Sequence, residues 1–178
     1  MVNEEKIRET CLSDPERGFR LLVEHFKSPI YWHIRRMVVS HEDAEDVLQE
    51  TFIRIYRYIN DFRKESSLST WIYRIATNEC SRFLNRRKEL AVSTEDVQAE
   101  LMNKLMDSEY VDYDNAMEMK FQQAILTLPE KQRLVFNLRY YDELKYEEIS
   151  RITDTKVETL KANYYFAKEK IKEYMINN

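Results

Sequence analysis

Apolar residues along this chain recur at steps of three and four rather than two, the period of helices that turn one face to a core. The first run begins at Ser13-Asp14-Pro15, a capping side chain followed by a proline where a missing N–H costs little, and carries Phe19, Leu22, Val23 and Phe26. After Pro29, a place for a kink or a split, the series resumes with Ile30, Ile34, Met37 and Val38. Ser40-His41-Glu42-Asp43 resembles a capping box, and Ala44, Val47, Leu48, Thr51, Phe52, Ile55 and Ile59 behind it predict a helix over 41–59. A polar loop, Lys64-Glu65-Ser66-Ser67, leads to a third helix over 69–87 with Ile72, Ile75, Ala76, Cys80 and Phe83 on its core side.

Periodicity then weakens over 89–115, which reads as a tether and not as a packed element. A second helical block starts near Asn115 with Met119, Ile125 and Leu128, and Thr127-Leu128-Pro129-Glu130 opens a further helix carrying Leu134, Val135 and Leu138. Tyr146–Ile152 predicts a short helix and Thr153-Asp154-Thr155 a turn. A long last helix follows from Lys156 to about Met175, its inward stripe made by Val157, Leu160, Tyr164, Ala167 and Ile171. The expected fold is all-α: two small helical domains, 1–88 and 116–178, joined by an acidic flexible linker over 89–115.

Composition narrows the chemistry. One glycine in 178 residues excludes the glycine-rich loops that cradle phosphates and dinucleotides, and argues against turn-rich β-sandwiches. Cys11 and Cys80 cannot form a CxxC pair, and no secretory signal or membrane-length apolar run stands out, so a soluble, reduced, cytoplasmic chain is expected, without membrane insertion. The net charge of −4 is sorted: residues 61–88 carry a net +4 and residues 89–115 a net −7. Fields are local over a Debye length of about 8–10 Å, so the basic block is where a nucleic acid would sit despite an acidic whole.

Three constellations carry candidate functions. A short helix, a three-residue turn and a longer helix have helix-turn-helix outline, an outline that an ordinary αα-hairpin shares. Asp154 stands where such turns often have Gly, and Asp tolerates the left-handed conformation better than most residues. On the third helix Trp71, Arg74, Asn78, Arg82 and Asn85 form a stripe away from the core side, which suits single-stranded nucleic acid through stacking and phosphate contacts; a partner protein is the alternative. Asp43, Asp46 and Glu50 share a helix face. They could hold a divalent ion or act as paired acid and base, but one helix supplies too few oxygens for a cage, and a helix start favours carboxylates in any case. His25, His33 and His41, eight residues apart, drift around the helix and do not converge.

Three motifs in order resemble one family. Glu42–Phe52 reads EDAEDVLQETF, Leu68–Asn78 reads LSTWIYRIATN, and Leu128–Tyr140 reads LPEKQRLVFNLRY ahead of YEEISRI and the last helix. Together they resemble an extracytoplasmic-function-type (group IV) bacterial RNA polymerase sigma factor in its two-domain minimal form. The resemblance implies a sigma factor that binds core RNA polymerase, through the β′ clamp helices and the β subunit, and directs promoter-specific initiation. Promoter DNA is then the second partner and an anti-sigma factor a candidate third; no cofactor and no metal are called for, and the chain is not an enzyme. By position, Asp43, Asp46, Gln49 and Glu50 would dock on polymerase, and the stretch with Trp71, Tyr73, Arg74, Asn78, Arg82 and Asn85 would open and read the −10 element. Lys156, Thr159, Lys161, Ala162, Asn163, Tyr165 and Phe166 would face the −35 element, with the acidic tether running toward the RNA exit path. Family members often place Ser, Arg, His and Arg where this chain has Ala162, Asn163, Tyr165 and Phe166, and a small Ala where it has Ser150. An arginine-poor reader packs on thymine methyls and lacks the fork for guanine, which predicts an A·T-leaning upstream element. The competing readings are a stand-alone helix-turn-helix regulator and a helical metal-dependent hydrolase.

Overall fold

The computed structural model describes residues 3–62, 66–91, 93–106 and 116–178. Among the described residues the regular elements are helical: α1 (Glu4–Ser13), α2 (Pro15–Val38), α3 (His41–Tyr58), α4 (Leu68–Leu90), α5 (Thr94–Met106), α6 (Ala116–Leu126), α7 (Glu130–Tyr140), α8 (Tyr146–Thr153) and α9 (Val157–Asn177), with a 3-10 turn over Ile59–Asp61. Lys64 and Glu65, expected in a loop, and Asn115, expected at a helix start, lie outside the described residues.

Local chemistry sets the starts of the first four helices. Asn3, Asp14, Ser40 and Ser67 stand at their N-caps, and each side chain accepts a backbone N–H, from Glu5, Arg17, Asp43 and Thr70 respectively. Pro29 does not split α2. It lies on the exposed face, where water can satisfy the carbonyl that its missing N–H leaves open. Periodicity does not reveal α1, which carries only Ile7 and Cys11 as buried residues and is too polar to show an apolar stripe. The single glycine explains how α1 fits. A Cβ at Gly18 would lie 2.3 Å from the backbone N and Cα of Cys11, so α1 and α2 approach as closely as they do only because that side chain is missing.

Helix α4 is the centre of the molecule, in contact with α1, α2, α3, α5 and α8. Its buried residues include Ile72, Tyr73, Ala76, Thr77, Glu79, Cys80 and Leu84, so it is covered on more than the one side expected of it. Ile75 and Phe83, placed in the core by the sequence pattern, are only half-buried. The two halves of the chain are in contact: Val135, Leu138, Ile149, Ile152 and Leu160 join the apolar cluster built by α1–α4. A separate cluster of Ala124, Ile125, Leu128, Phe136, Ala167 and Ile171 ties α6 and α7 to α9.

The expectation of an unpacked tether over 89–115 is corrected for residues 94–106; residues 107–115 lie outside the described residues. Ser93 accepts the Asp96 N–H at 3.1 Å and starts α5. Val97, Leu101 and Leu105, at steps of four, are buried against Val39, Met119 and Leu126. Residues 94–106 carry Glu95, Asp96 and Glu100 against Lys104, and the acidic count of the wider stretch masks this three-residue stripe; burial of each such side chain contributes about 1.5–3 kcal/mol. Beneath α5 the chain turns from α2 to α3 through Val39 at φ 69°, with the Ser40 N–H on the Val38 carbonyl at 2.9 Å. A branched side chain in that region is strained, and its burial under α5 holds it there.

Gly18→Ala is expected to destabilise the fold by about 1–3 kcal/mol, because backbone atoms of α1 stand where the methyl must go. Urea unfolding followed by circular dichroism measures this, and a stability gain, as helix propensity alone would give, would show that α1 can move aside at no cost.

Candidate polymerase and promoter interfaces

Three surfaces hold the residues singled out by the sequence. On α3, Asp46, Gln49 and Glu50 are exposed, set outward because Ala44, Val47, Leu48 and Thr51 take the core side. Asp43 does not stand free beside them. Its Oδ2 accepts from Lys104 of α5 at 2.8 Å and is ion-paired with Arg87 of α4 at 3.0 Å, and Glu100 lies 3.2 Å from Lys104 and 3.3 Å from Arg87. This corrects the reading of Asp43 as one member of a uniform acidic face: side chains from α4 and α5, remote in sequence, half-bury and neutralise it. Between α3 and α4 lies a groove of about 910 Å³ whose walls carry Asp46, Gln49 and Glu50 on one side and Arg82, Asn85 and Arg86 on the other.

On α4, Arg74, Asn78, Arg82 and Asn85 are exposed at steps of four, four and three, where the sequence pattern puts them. Glu79 lies below, its carboxylate ion-paired with Arg54 at 2.5 Å and accepting from Arg82 at 2.8 Å. Arg82 is thereby held in place with part of its charge already answered. Trp71 is half-buried rather than exposed and lies in tilted contact with Phe62, centroids 5.2 Å apart. Tyr73, expected on the DNA side, is 6% exposed and sits with its ring 5.3 Å from that of His33. Its phenol is pushed far up by burial and then by the neighbouring Asp142 carboxylate, to which its hydroxyl donates. The correction has a simple cause: Tyr73 points sideways from the stripe, toward a part of the chain about 70 residues on that periodicity cannot see.

In the second half, α8 and α9 meet at Asp154, whose φ 53° and ψ 39° are the left-handed values the turn needs. Ile149, Ile152 and Leu160 lock the two helices together. That leaves Lys156, Thr159, Lys161, Ala162, Tyr165 and Phe166 exposed and Asn163 half-buried, with the Tyr165 and Phe166 rings 5.6 Å apart. Lys161 lies 5.9 Å over the ring of Tyr146, which directs its charge toward the start of α8.

Local pattern says nothing of how these surfaces stand to one another. Arg74, Asn78 and Asn85 of α4 line the same cleft, of about 760 Å³, as Thr155, Thr159 and Asn163 at the start of α9. Behind it His33, fully buried, places Nδ1 3.1 Å from Asp142 Oδ2 and Nε2 3.1 Å from the Thr77 hydroxyl. Asp142 accepts from Arg36 through its other oxygen at 2.5 Å, and Lys88 pairs with Glu130 at the rim. Residues 109 apart make this cluster, so no local motif could have announced it. Among the described residues no three His, Cys, Asp or Glu side chains gather as metal ligands would. Cys11 and Cys80 are buried free thiols, and the Cys80 thiol is raised far above the usual range by burial and then by Glu79.

A helical protein with a helix-turn-helix, an arginine and asparagine stripe and an acidic face belongs among DNA-binding proteins with several working surfaces. Known proteins sharpen the class. The family model for sigma-70 region 2 matches residues 22–89 and that for sigma-70, region 4, matches residues 118–171. The RNA polymerase sigma-H factor of Pseudomonas aeruginosa is 33% identical over 171 residues, covering 88% of this chain and 85% of that protein. The ECF RNA polymerase sigma-E factor of Escherichia coli (strain K12) is 31% identical over 164 residues, with the same coverage. Among solved structures, CnrH in complex with the cytosolic domain of CnrY superposes with a TM-score of 0.71 at 18% identity, covering 97% of this chain and 96% of that one. The sigma factor RpoE in complex with the anti-sigma factor NepR from Bartonella quintana gives 0.70 at 17% identity, covering 91% and 99%. The chain belongs to the sigma-70 family, as a sigma factor of the ECF type.

Trp71→Ala is expected to lower stability by about 1–2 kcal/mol, because it strips a half-buried ring that packs on Phe62, before any effect on DNA. Thermal unfolding without DNA measures this, and an unchanged midpoint would return Trp71 to a purely DNA-facing role.

Proposed function

We propose that Asp46, Gln49 and Glu50 of α3 dock on core RNA polymerase, that α4 opens and reads the −10 element, and that the start and outer face of α9 read the −35 element. As an ECF sigma factor the chain directs promoter-specific transcription initiation, and this division of labour among residues says how. The observation that carries it is the separation of three exposed faces of different chemistry on three helices: carboxylates on α3, arginine and asparagine on α4, lysine and aromatic groups on α9. Arg74 suits phosphates and Asn78 and Asn85 suit unpaired bases, while Trp71, wedged on Phe62, offers a ring edge held in a fixed position. Lys156 and Lys161 anchor phosphates, and Ala162, Tyr165 and Phe166 offer apolar surface to thymine methyl groups.

In this reading the chain is a specificity subunit without catalysis of its own, working beside polymerase in the cytoplasm. Among the described residues no helix is long and apolar enough to cross a membrane. An anti-sigma protein is a further candidate partner, since the similar RpoE structure holds one. A stand-alone regulator is disfavoured, because such proteins pair two helix-turn-helix units on two half-sites and have no use for a matched region 2.

Two outcomes test the reading. Asp46→Lys with Glu50→Lys should weaken binding to core polymerase while leaving helical content intact, because both side chains are exposed and contribute little to folding; unchanged affinity in a pull-down titration would remove α3 as the docking face. Selection of the upstream element from random DNA by the holoenzyme should return an A·T-leaning sequence, and Ala162→Ser with Phe166→Arg should bring in G·C pairs. A guanine-rich element from the natural chain would overturn the assignment of α9 side chains.

A further inference from the structure

We propose that the cleft between α4 and the starts of α7 and α9 is a binding site for a small nucleotide in free solution, a planar base carrying one phosphate, of the class of an adenine nucleoside monophosphate.

The cleft encloses about 760 Å³, within the range of about 300–1,000 Å³ usual for small-molecule sites, and it has the make-up of one. Its floor is apolar: Leu134 and Val135 of α7, Ile152 of α8 and Leu160 of α9. All four belong to the main core or pack against it, so the floor is in place before any ligand arrives. Among the residues that line the cleft none is aromatic. A base there rests on aliphatic surface and is chosen by hydrogen bonds at its edge, not by stacking.

Polar side chains converge on that floor from both walls and find no partner in the protein. Arg74, Asn78 and Asn85 of α4, Lys131 of α7 and Asn163 of α9 line the cleft, and none of these side chains has a hydrogen bond or ion pair to another described residue. An asparagine amide holds a donor and an acceptor side by side, the pattern that matches N6 and N7 of adenine; the two acceptors of guanine on the same edge match arginine or lysine. Three asparagines on two facing walls therefore favour adenine. Asn78 and Asn85 are also assigned above to unpaired bases of the −10 element, and groups that suit a base in a strand suit one free in solution.

Charge decides how much phosphate the site takes. Arg74, Lys88 and Lys131 line the cleft against Glu130 and Asp154, a surplus of one positive charge. Lys88 is paired with Glu130 at the rim. That leaves Arg74 as the guanidinium fork for a phosphate, with Lys131 as a second, exposed charge. A single phosphate is answered by this surplus, whereas a triphosphate brings several negative charges to a surface that balances about one. A ligand gripped by both walls also makes contacts that the unfolded chain lacks, so binding raises stability by mass action.

The test titrates the full chain with adenosine monophosphate by isothermal calorimetry, beside guanosine monophosphate, adenosine and inorganic phosphate. Adenosine monophosphate should bind at one site per chain, about tenfold or more tighter than each of the other three, and should raise the thermal unfolding midpoint. Arg74→Ala should reduce its affinity to that of adenosine, and Asn163→Ala should weaken it by about tenfold, both with helical circular dichroism unchanged because neither side chain has a partner to lose. Should Asn163→Ala fail to fold, Asn85→Ala reads the same contact from the opposite wall. No binding at millimolar nucleotide, equal affinity for the adenine and guanine nucleotides, or affinity untouched by the asparagine and arginine variants would each overturn the site. The site needs only the cleft in the free chain, so its loss leaves the assignment of faces to polymerase and promoter standing, and a failed run-off transcription assay leaves the site standing.

Discussion

One helix has to satisfy five neighbours, and the geometry of α4 decides much of the rest. A helix turns about 100° per residue, so a side chain one position from an exposed residue already points a quarter-turn away. Along α4, Arg74, Asn78, Arg82 and Asn85 use one outward line, while Ile72, Ala76 and Cys80 take the opposite one. The flanks between them are taken as well: Tyr73 and Thr77 on one side reach His33 and Asp142, and Glu79 on the other gathers Arg54 and Arg82. Little of this helix can change without moving either the arginine and asparagine stripe or the seat of the second half.

Asp142 shows what the arrangement costs and what it gives. Its side chain is only 4% exposed and lies among His33, Arg36 and the Tyr73 hydroxyl, so a carboxylate removed from water is met by three donors. Buried ion pairs of this kind seldom add much net stability over an apolar core, because desolvation consumes most of the attraction. They are good at choosing one geometry, since an arrangement that leaves any of these groups unpaired is heavily penalised. The apolar residues that share the contact, Val135, Ile149 and Leu160, would tolerate many relative orientations of the halves; Asp142 tolerates few.

The elements that can be read from the sequence are those whose signal is local. Helix α3 has a serine cap, an apolar stripe and an acidic outer face, and runs over His41–Tyr58 against the 41–59 that its periodicity predicts. The α8–α9 pair is readable because Asp154 suits a left-handed turn and the flanking stripes are regular. Exposure of Asp46, Gln49, Glu50, Arg74, Asn78 and Asn85 follows from the same spacing. What local pattern or resemblance leaves out depends on distant partners: Asp43, on the acidic face by its spacing, is claimed by Arg87 and Lys104; Tyr73, on the DNA side by resemblance, by His33 and Asp142; and Val97, Leu101 and Leu105 by Met119 and Leu126. Helix α5 is hidden for a further reason. Three apolar residues at steps of four suffice to seat a short helix when a neighbouring surface is waiting, but the same three inside an acidic stretch look like noise.

Charge sorting gives these surfaces a hierarchy. The whole chain carries a net −4, and the acidic face of α3 shares a groove with the arginines at the end of α4. Phosphates approaching Arg82 or Arg86 therefore meet Asp46 and Glu50 within a few residues' width, well inside a Debye length of about 8–10 Å. Since most non-specific affinity for DNA comes from phosphate neutralisation, a protein that sets carboxylates beside its own cations has little of it. On the proposed docking of α3, a polymerase that covers its acidic face would remove that repulsion and leave the arginines to the nucleic acid. On the proposed assignment of faces, the α3 carboxylates would therefore both dock the chain and weaken the α4 stripe toward nucleic acid in isolation, so that affinity for promoter DNA would belong to the complex more than to the subunit.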